Sequence, residues 1–379
     1  MSREPLVECV PNFSEGRRPE VIDQIVAAIR AVPGVTVLDI SSDHDHNRSV
    51  VTFVGPPDGV EQAAFEAIAA AARLINLDHH RGEHPRIGAA DVVPFVPLRG
   101  VTMDDCVRIA ERVGERVGRE LNIPVYLYEA AARRPERQNL ENIRRGEYEG
   151  LKATIGTDPD RAPDFGPAAV GPAGATVIGA RPFLIAYNVY LNTADVAVAR
   201  QIAKAIRHSS GGLRYVKALG LLVEGQAQVS MNLTDFTRTP VYRVVELIRR
   251  EAARYGALIT KSELVGLIPE DALLDTAIYH LQLDRFEKDQ VLERKLQQVA
   301  AAETAAACLQ PDAFAEAVAE GTAAPGGGAV AAAAGALAAA LAEMVARLTT
   351  GKPAYAEVEA TMMAVASQAG ELRRRLLAA

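Results

Sequence analysis

The sequence predicts an α+β protein: two consecutive ferredoxin-like (βαββαβ) subdomains with a cleft between them, followed by an all-α C-terminal segment. Three observations carry this expectation. Short apolar runs of strand character alternate with longer runs of helical period in the order β-α-β-β-α-β. The same order begins again past residue 180, without obvious sequence identity to the first pass. Past residue 300 the strands give way to Ala-rich helical text. The domain boundaries expected on this basis are 1–180, 181–300 and 301–379.

Leu6 to Val10 is a short alternating strand ended by Pro11-Asn12. Pro19 opens a helix in which Val21, Ile22, Ile25, Val26 and Ile29 fall on one face, and Pro33-Gly34 stops it. Val35 to Ile40 and Ser49 to Val54 read as strands, Asp58 to Ile75 as a helix and Val92 to Val96 as the fourth strand. A helix over about Met103 to Leu121 and a strand over Val125 to Tyr128 extend this unit. From Ala132 to Gly174 Arg, Glu, Pro and Gly dominate, which predicts a helical excursion and then a long loop, a feature more often functional than accidental. The second pass has strands at Phe183 to Leu191, Val216 to Val223, Gln226 to Asn232 and Ala257 to Thr260, with helices at Ala194 to Ile206 and Val241 to Tyr255. Beyond Phe286 come a linker helix, a short helix over Phe314 to Glu320 and an Ala-rich helix to about Leu348. This tail is too short to bury its own apolar faces.

The chain has 379 residues, a formal charge of −7 and no long basic run, which argues against nucleic acid as the main partner. It leaves room for an anionic metabolite, since a few converging arginines hold carboxylates whatever the total charge. Cys9, Cys106 and Cys308 are far apart and in no CxxC arrangement, as suits a reducing compartment. The N-terminus has no signal-peptide run, and the uncharged stretch Thr322 to Ala342 is mostly Ala, too weakly apolar to span a bilayer. The expectation is a cytoplasmic protein with no membrane partner.

The most informative stretch is Arg81-Gly82-Glu83-His84-Pro85-Arg86-Ile87-Gly88-Ala89-Ala90-Asp91, just before a strand. Gly82 and Pro85 break any helix, so His84 belongs to a constrained loop at the mouth of the sheet. Histidine is the natural proton carrier near neutral pH. Arg86 can grip a carboxylate through two parallel hydrogen bonds, and Asp91 can orient or charge-stabilise a neighbour. A lone histidine is also, simply, a hydrogen-bonded loop residue; the companions Glu83, Arg86 and Asp91 bring the two readings nearer to even. Asn12, in Pro11-Asn12-Phe13-Ser14-Glu15-Gly16, and Arg48, which opens another strand, stand where ligands meet α/β sheets, although turn and cap roles fit them too. His44, His46, His79, His80, Asp43 and Asp45 are metal-ligand types, but His80 and His84 cannot share a helix face across Gly82, so no metal is expected. Asp43 to His46 reads as a solvated turn. The Gly/Pro-rich segment from Asp164 to Val177 has no phosphate-binding pattern, and the chain has no Gly-x-Ser-x-Gly elbow.

Leu6-Val-Glu-Cys-Val-Pro-Asn-Phe-Ser-Glu-Gly16 resembles the opening of the formiminotransferase family. The likeness continues through Gly82-Glu-His-Pro-Arg-Ile-Gly88, Pro124-Val-Tyr-Leu-Tyr128, Gly146-Glu-Tyr-Glu149, Ala162-Pro-Asp-Phe-Gly-Pro167, Gly179-Ala-Arg-Pro-Phe-Leu-Ile-Ala186, Gln228-Val-Ser-Met-Asn232 and Glu263-Leu-Val-Gly-Leu-Ile-Pro269. The resemblance implies two ferredoxin-like subdomains with a folate tunnel between them and a homodimer through the transferase part. It implies His84 as the catalytic residue, and a folate segment at about Gly166 to Gly174 that includes Pro167 and Gly171. Phe314 to Lys352 resembles the start of a formiminotetrahydrofolate cyclodeaminase. That family's catalytic Asp has no counterpart here, as no Asp follows Asp312. Cyclodeaminase activity is therefore not expected of these residues.

The implied reaction moves a formimino group from N-formimino-L-glutamate to tetrahydrofolate, the co-substrate, in histidine degradation and one-carbon metabolism. On this reading His84 carries the proton, and Arg86, Arg48 and Asn12 hold substrate. Formyl transfer from N-formylglutamate and a non-catalytic folate-binding role are the competing expectations.

Overall fold

The computed structural model describes residues 5–82, 84–307, 311–320 and 326–377. Glu83, Cys308 and the Thr322–Pro325 part of the Ala-rich segment's opening lie outside the described residues. The protein is a mixed α/β unit through Phe286 and a separate helical unit from Glu287 onward.

In the first unit the chain runs β1 (Leu6–Cys9), β2 (Asn12–Phe13), α1 (Pro19–Arg30), β3 (Thr36–Asp43), β4 (Arg48–Gly55), α2 (Pro57–Leu74), β5 (Ala90–Arg99), α3 (Met103–Arg116) and β6 (Val125–Glu129). Strands β1 and β2 are one line through the sheet, parted at Pro11, which has no N–H to donate. This line pairs antiparallel with β4 on one side and β5 on the other, and β3 pairs antiparallel with the far edge of β4. Helix α1 starts at Pro19, whose missing N–H costs nothing in a first turn, and buries Val21, Ile22, Ile25, Val26 and Ile29. Val7, Cys9, Phe13, Val51, Phe53, Val93 and Phe95 form one core with the buried residues of α1, α2 and α3. Those three helices therefore cover one sheet face, and the period-2 alternation turns Glu8, Asn12, Arg48 and Thr52 to the other.

The excursion contains α4 (Leu140–Ile143) and α5 (Glu147–Thr154), as its helical text predicts. The loop that follows is shorter than expected. Residues assigned from sequence to the Gly/Pro-rich loop up to Val177 form, from Thr176 on, strand β7 (Thr176–Ala180), every residue of it buried. It inserts between β5 and β6, parallel to both. Strands buried on both faces lose the alternation that marks an exposed one, which is why this one reads as loop. The buried ion pair Arg137–Asp164 at 2.8 Å closes the loop, with Asp164 also accepting from the Leu127 N–H at 2.8 Å.

The second sheet is built from β8 (Ile185–Leu191), α6 (Val196–Ile206), β9 (Val216–Val223), β10 (Gln226–Leu233), α7 (Val241–Ala253) and β11 (Ile259–Val265), in the order β11-β8-β10-β9, all antiparallel. Helix α8 (Glu270–Leu281), unforeseen from sequence, follows.

The helical unit comprises α9 (Leu292–Ala307), α10 (Pro311–Ala319), α11 (Gly327–Thr349) and α12 (Glu359–Leu377). Ala336, Ala339, Ala346, Ala369 and Gly370 are the buried small residues where α11 and α12 pack. Between them Glu343 pairs with Arg347 and Arg373, at 2.6 and 3.1 Å. Leu337, Leu341, Val345 and Leu348 of α11 remain exposed. By length and composition α11 is apolar enough to cross a membrane. The expectation that this segment is too weakly apolar therefore fails on that measure.

Candidate active site

At the end of the sheet face turned away from α1, α2 and α3, where β4 and β5 begin, four polar side chains from separate elements converge. Arg48, the first residue of β4, is 9% exposed. Its Nε and Nη2 both donate to Asn12 Oδ1, at 3.1 and 2.8 Å, and its Nη1 donates to Asp91 Oδ2 at 2.9 Å. Asp91 is fully buried and also accepts from Arg144, just past α4, and from the Ile87 N–H at 2.8 Å. Burial alone would raise the Asp91 carboxyl, but Arg144, Arg48 and the Ile87 amide overcome it and hold it down to about 2. Burial likewise lowers Arg48 to about 10 against the pull of Asp91. Among the described residues two guanidiniums thus share one carboxylate, which leaves them one negative charge short. Arg144 Nε is buried with no hydrogen-bond partner among the described residues.

His84 stands on the rim of this cluster. Its Nδ1 lies 2.7 Å from the Pro85 carbonyl and 3.1 Å from Arg48 Nη1. One nitrogen cannot serve both at once, because the carbonyl needs a donor and the guanidinium an acceptor. The shorter contact favours Nδ1–H, which leaves the lone pair on Nε2. Burial, then the charges of Arg48 and Arg144, push the imidazole down to about 3. It is therefore neutral at physiological pH, with the Nε2 lone pair free.

The loop carrying His84 is pinned from both sides. The Asn47 side chain accepts from the Gly16 N–H and donates to the Arg81 carbonyl, both at 2.9 Å. His80 Nε2 reaches the Asn47 carbonyl at 3.0 Å, which leaves His80 Nδ1 to accept from Arg86 Nε at 3.1 Å. The remaining Arg86 donors go to Glu147 at 2.8 Å and to both Glu149 oxygens, at 2.7 and 2.9 Å. Arg86, expected to hold substrate, ties the histidine loop to the first turn of α5. Asn12 has both amide atoms engaged, its Nδ2 donating to the Val10 carbonyl at 2.9 Å. Arg144 is the residue sequence reasoning missed. It sits in an Arg-rich run where no period singles out one side chain.

Among the folate-segment residues, Gly166 and Gly174 have positive φ (81° and 72°). A Cβ on either would collide with a backbone carbonyl, of Ile123 and Ile87 respectively. Their lack of a side chain is thus required by packing. Gly171 is exposed with open space where a Cβ would stand, and Pro167 is partly buried. Among the described residues no three His, Cys, Asp or Glu side chains are grouped to hold a metal ion.

Residues 6–181 match the family model for the formiminotransferase domain, N-terminal subdomain, and 186–307 that for the formiminotransferase domain. The chain belongs to the formiminotransferase family. Residues 310–379 further match the formiminotransferase-cyclodeaminase model. A glutamate formimidoyltransferase from Thermoplasma acidophilum is 54% identical over 78% of this chain and 98% of its own length. One from Streptococcus pyogenes is 48% identical over 77% and 98%. The formimidoyltransferase-cyclodeaminase of Rattus norvegicus is 43% identical over 94% of this chain and 72% of its own. In this formiminotransferase the charged cluster and the histidine loop both lie within the N-terminal subdomain's match.

Proposed function

We propose that this formiminotransferase moves the formimino group of N-formimino-L-glutamate to tetrahydrofolate, giving 5-formiminotetrahydrofolate and L-glutamate. The observation that carries the chemistry is a neutral His84 beside two arginines, Arg48 buried and Arg144 partly buried, that share one carboxylate. A glutamate carboxylate supplies the missing negative charge by accepting from Arg48 and Arg144, a role better suited to them than to Arg86, whose donors are already engaged by His80, Glu147 and Glu149. N5 of tetrahydrofolate attacks the formimino carbon, and its proton passes to His84 Nε2. The bond from that carbon to the glutamate nitrogen then breaks as the proton is delivered to the departing amine. Asn12 positions Arg48, and the exposed stretch around Pro167 and Gly171 is the proposed folate-contacting loop, shaped by Gly166 and Gly174.

Each sheet places its four βαββαβ strands in the order 4-1-3-2, which supports two ferredoxin-like subdomains, the first extended by β6 and β7. Matched ranges of 6–181, 186–307 and 310–379 support boundaries near 1–180, 181–300 and 301–379. A homodimer and a cytoplasmic setting complete the reading; the free thiols of Cys9 and Cys106 accord with the latter.

The direct test follows formiminotetrahydrofolate and free ammonia separately with formiminoglutamate as donor, and repeats it with N-formylglutamate. Product from the formimino donor alone supports the proposal; product from the formyl donor alone removes it. Two further outcomes are expected. Arg144→Ala raises the KM for formiminoglutamate about 10-fold or more while the folate KM holds, as expected for a lost charged hydrogen bond; an unchanged donor KM removes Arg144 from the site. In addition, bound carboxylate offsets Arg48 and Arg144 and so raises the His84 pKa from about 3. The acid limb of kcat, which reports the bound state, then lies at higher pH than that of kcat/KM. Coincident limbs would show that substrate does not tune the histidine.

A further inference from the structure

Strand register places more than the charged cluster on the face of the first sheet turned away from α1, α2 and α3. Asn12 is opposite Val50 on β4, and Glu8 is opposite Val54. Arg48, Val50, Thr52 and Val54 share one side of β4, so Glu8, Asn12 and Arg48 stand on one surface. On β5 the same surface continues through Val92 and Val96, register partners of Asn12 and Glu8. Toward β6 it is roofed. Val92, Val177, Tyr126 and Tyr128 pack with Ile143 of α4 and Leu151 of α5. None of the residues of that roof belongs to β1 or β4, the strands between His84 and Glu8.

Glu8 has no structural task that accounts for it. It is 3% exposed, and its Oε2 is buried without a hydrogen-bond partner among the described residues. Burial pushes the carboxyl up to about 7, with the Arg181 guanidinium opposing the rise. A carboxyl oxygen buried without a partner on the face that carries the charged cluster requires an explanation, because an unsatisfied buried oxygen destabilises the fold. The other acids of this face on β3, Asp39 and Asp43, are partly or fully open to solvent.

We propose that Glu8 recognises the pterin of tetrahydrofolate, accepting parallel hydrogen bonds from the ring's N3–H and 2-amino group. The inference rests on the function proposed above and adds the residue that orients the acceptor. The aminopyrimidinone edge of a pterin presents two donors side by side, the same fork a guanidinium offers a carboxylate. N5, the attacking atom, lies toward the opposite side of the bicycle. Glu8 and Asn12 are four residues apart on one strand line, about 13 Å along the backbone. Side chains reaching inward from both ends, one hydrogen bond at each end and the width of the bicycle fill that span. A pterin held at Glu8 thus directs N5 toward His84 and the carboxylate-binding arginines. Donors in the ligand complete the orphaned oxygen and draw the carboxyl to its ionised form.

The test uses the full chain and separates this inference from the reaction itself. In steady-state transfer assays, Glu8→Gln is expected to raise the KM for tetrahydrofolate about 10-fold or more, with the formiminoglutamate KM within about 2-fold of the parent. Gln keeps the shape of a protonated Glu, so a purely structural acid would tolerate the change. Asp39→Asn is the comparison and is expected to leave the folate KM unchanged. Direct titration with 5-formyltetrahydrofolate, which needs no turnover, gives the same ranking even if formimino transfer is absent. Should Glu8→Gln fail to fold, 2-desamino-5-formyltetrahydrofolate on the parent protein replaces it, with about 10-fold weaker binding expected. Equal folate affinity for parent and Glu8→Gln, equal affinity of the parent for the two ligands, or a loss that falls on Asp39→Asn instead would each overturn the assignment.

Discussion

His84→Ala lowers turnover by about 10²-fold or more while both substrates still bind, the range typical of losing a general acid–base group. The single imidazole is asked to take the proton from the attacking ring nitrogen and return it to the departing amine, so its removal slows both halves of the reaction. Arg48 remains paired to Asp91 in the variant, so the carboxylate site is preserved. KM values close to the parent and a collapsed kcat are the expected pair. Near-parental turnover would show that proton transfer is carried elsewhere. A KM defect with intact kcat would make His84 a binding residue instead.

The second large effect is on stability. Asp91→Ala strips the one carboxylate, among the described residues, to which both Arg48 and Arg144 donate, and leaves the Ile87 N–H without its acceptor. Breaking a buried pair from one side leaves uncompensated charge in a poorly solvated place, at a cost of about 3–5 kcal/mol. Here two guanidiniums are involved, so the upper part of that range is expected, read as a lower urea midpoint. Added formiminoglutamate should recover part of the loss, because its carboxylate enters the same electrostatic gap. A loss below about 1 kcal/mol would mean that water or rearrangement already satisfies the arginines.

How far the sequence discloses this site depends on the range over which each constraint acts. The amphipathic helices α1 and α2 are local features, and the apolar residues of Pro19–Arg30 fall where the period places them. Gly82 and Pro85 are local signals as well, and they put His84 on a loop. The fate of Arg86 is different. Its partners Glu147 and Glu149 lie far along the chain, and no pattern within the loop tells a guanidinium that binds substrate from one that binds a helix. Arg144 is the converse case, a residue with nothing local to mark it that arrives beside Asp91 through the tertiary fold. Glu8 lies in plain sight in an alternating strand. Only register, together with the lack of a partner, distinguishes it from an edge residue facing water.

The place of β7 has a consequence for how the protein is made. During synthesis β5 and β6 leave the ribosome well before Thr176–Ala180, yet β6 joins the sheet only through β7. Until β7 arrives, β5 presents an unpaired edge and β6 has no neighbour, the kind of open strand that invites pairing with another chain. Closing two long-range parallel contacts with one late strand is slow by its topology. The nascent transferase is therefore most exposed to aggregation in the interval between the emergence of β5 and the docking of β7. Ligands that bind the finished site cannot shorten that interval, because part of the sheet that supports the site has not yet closed.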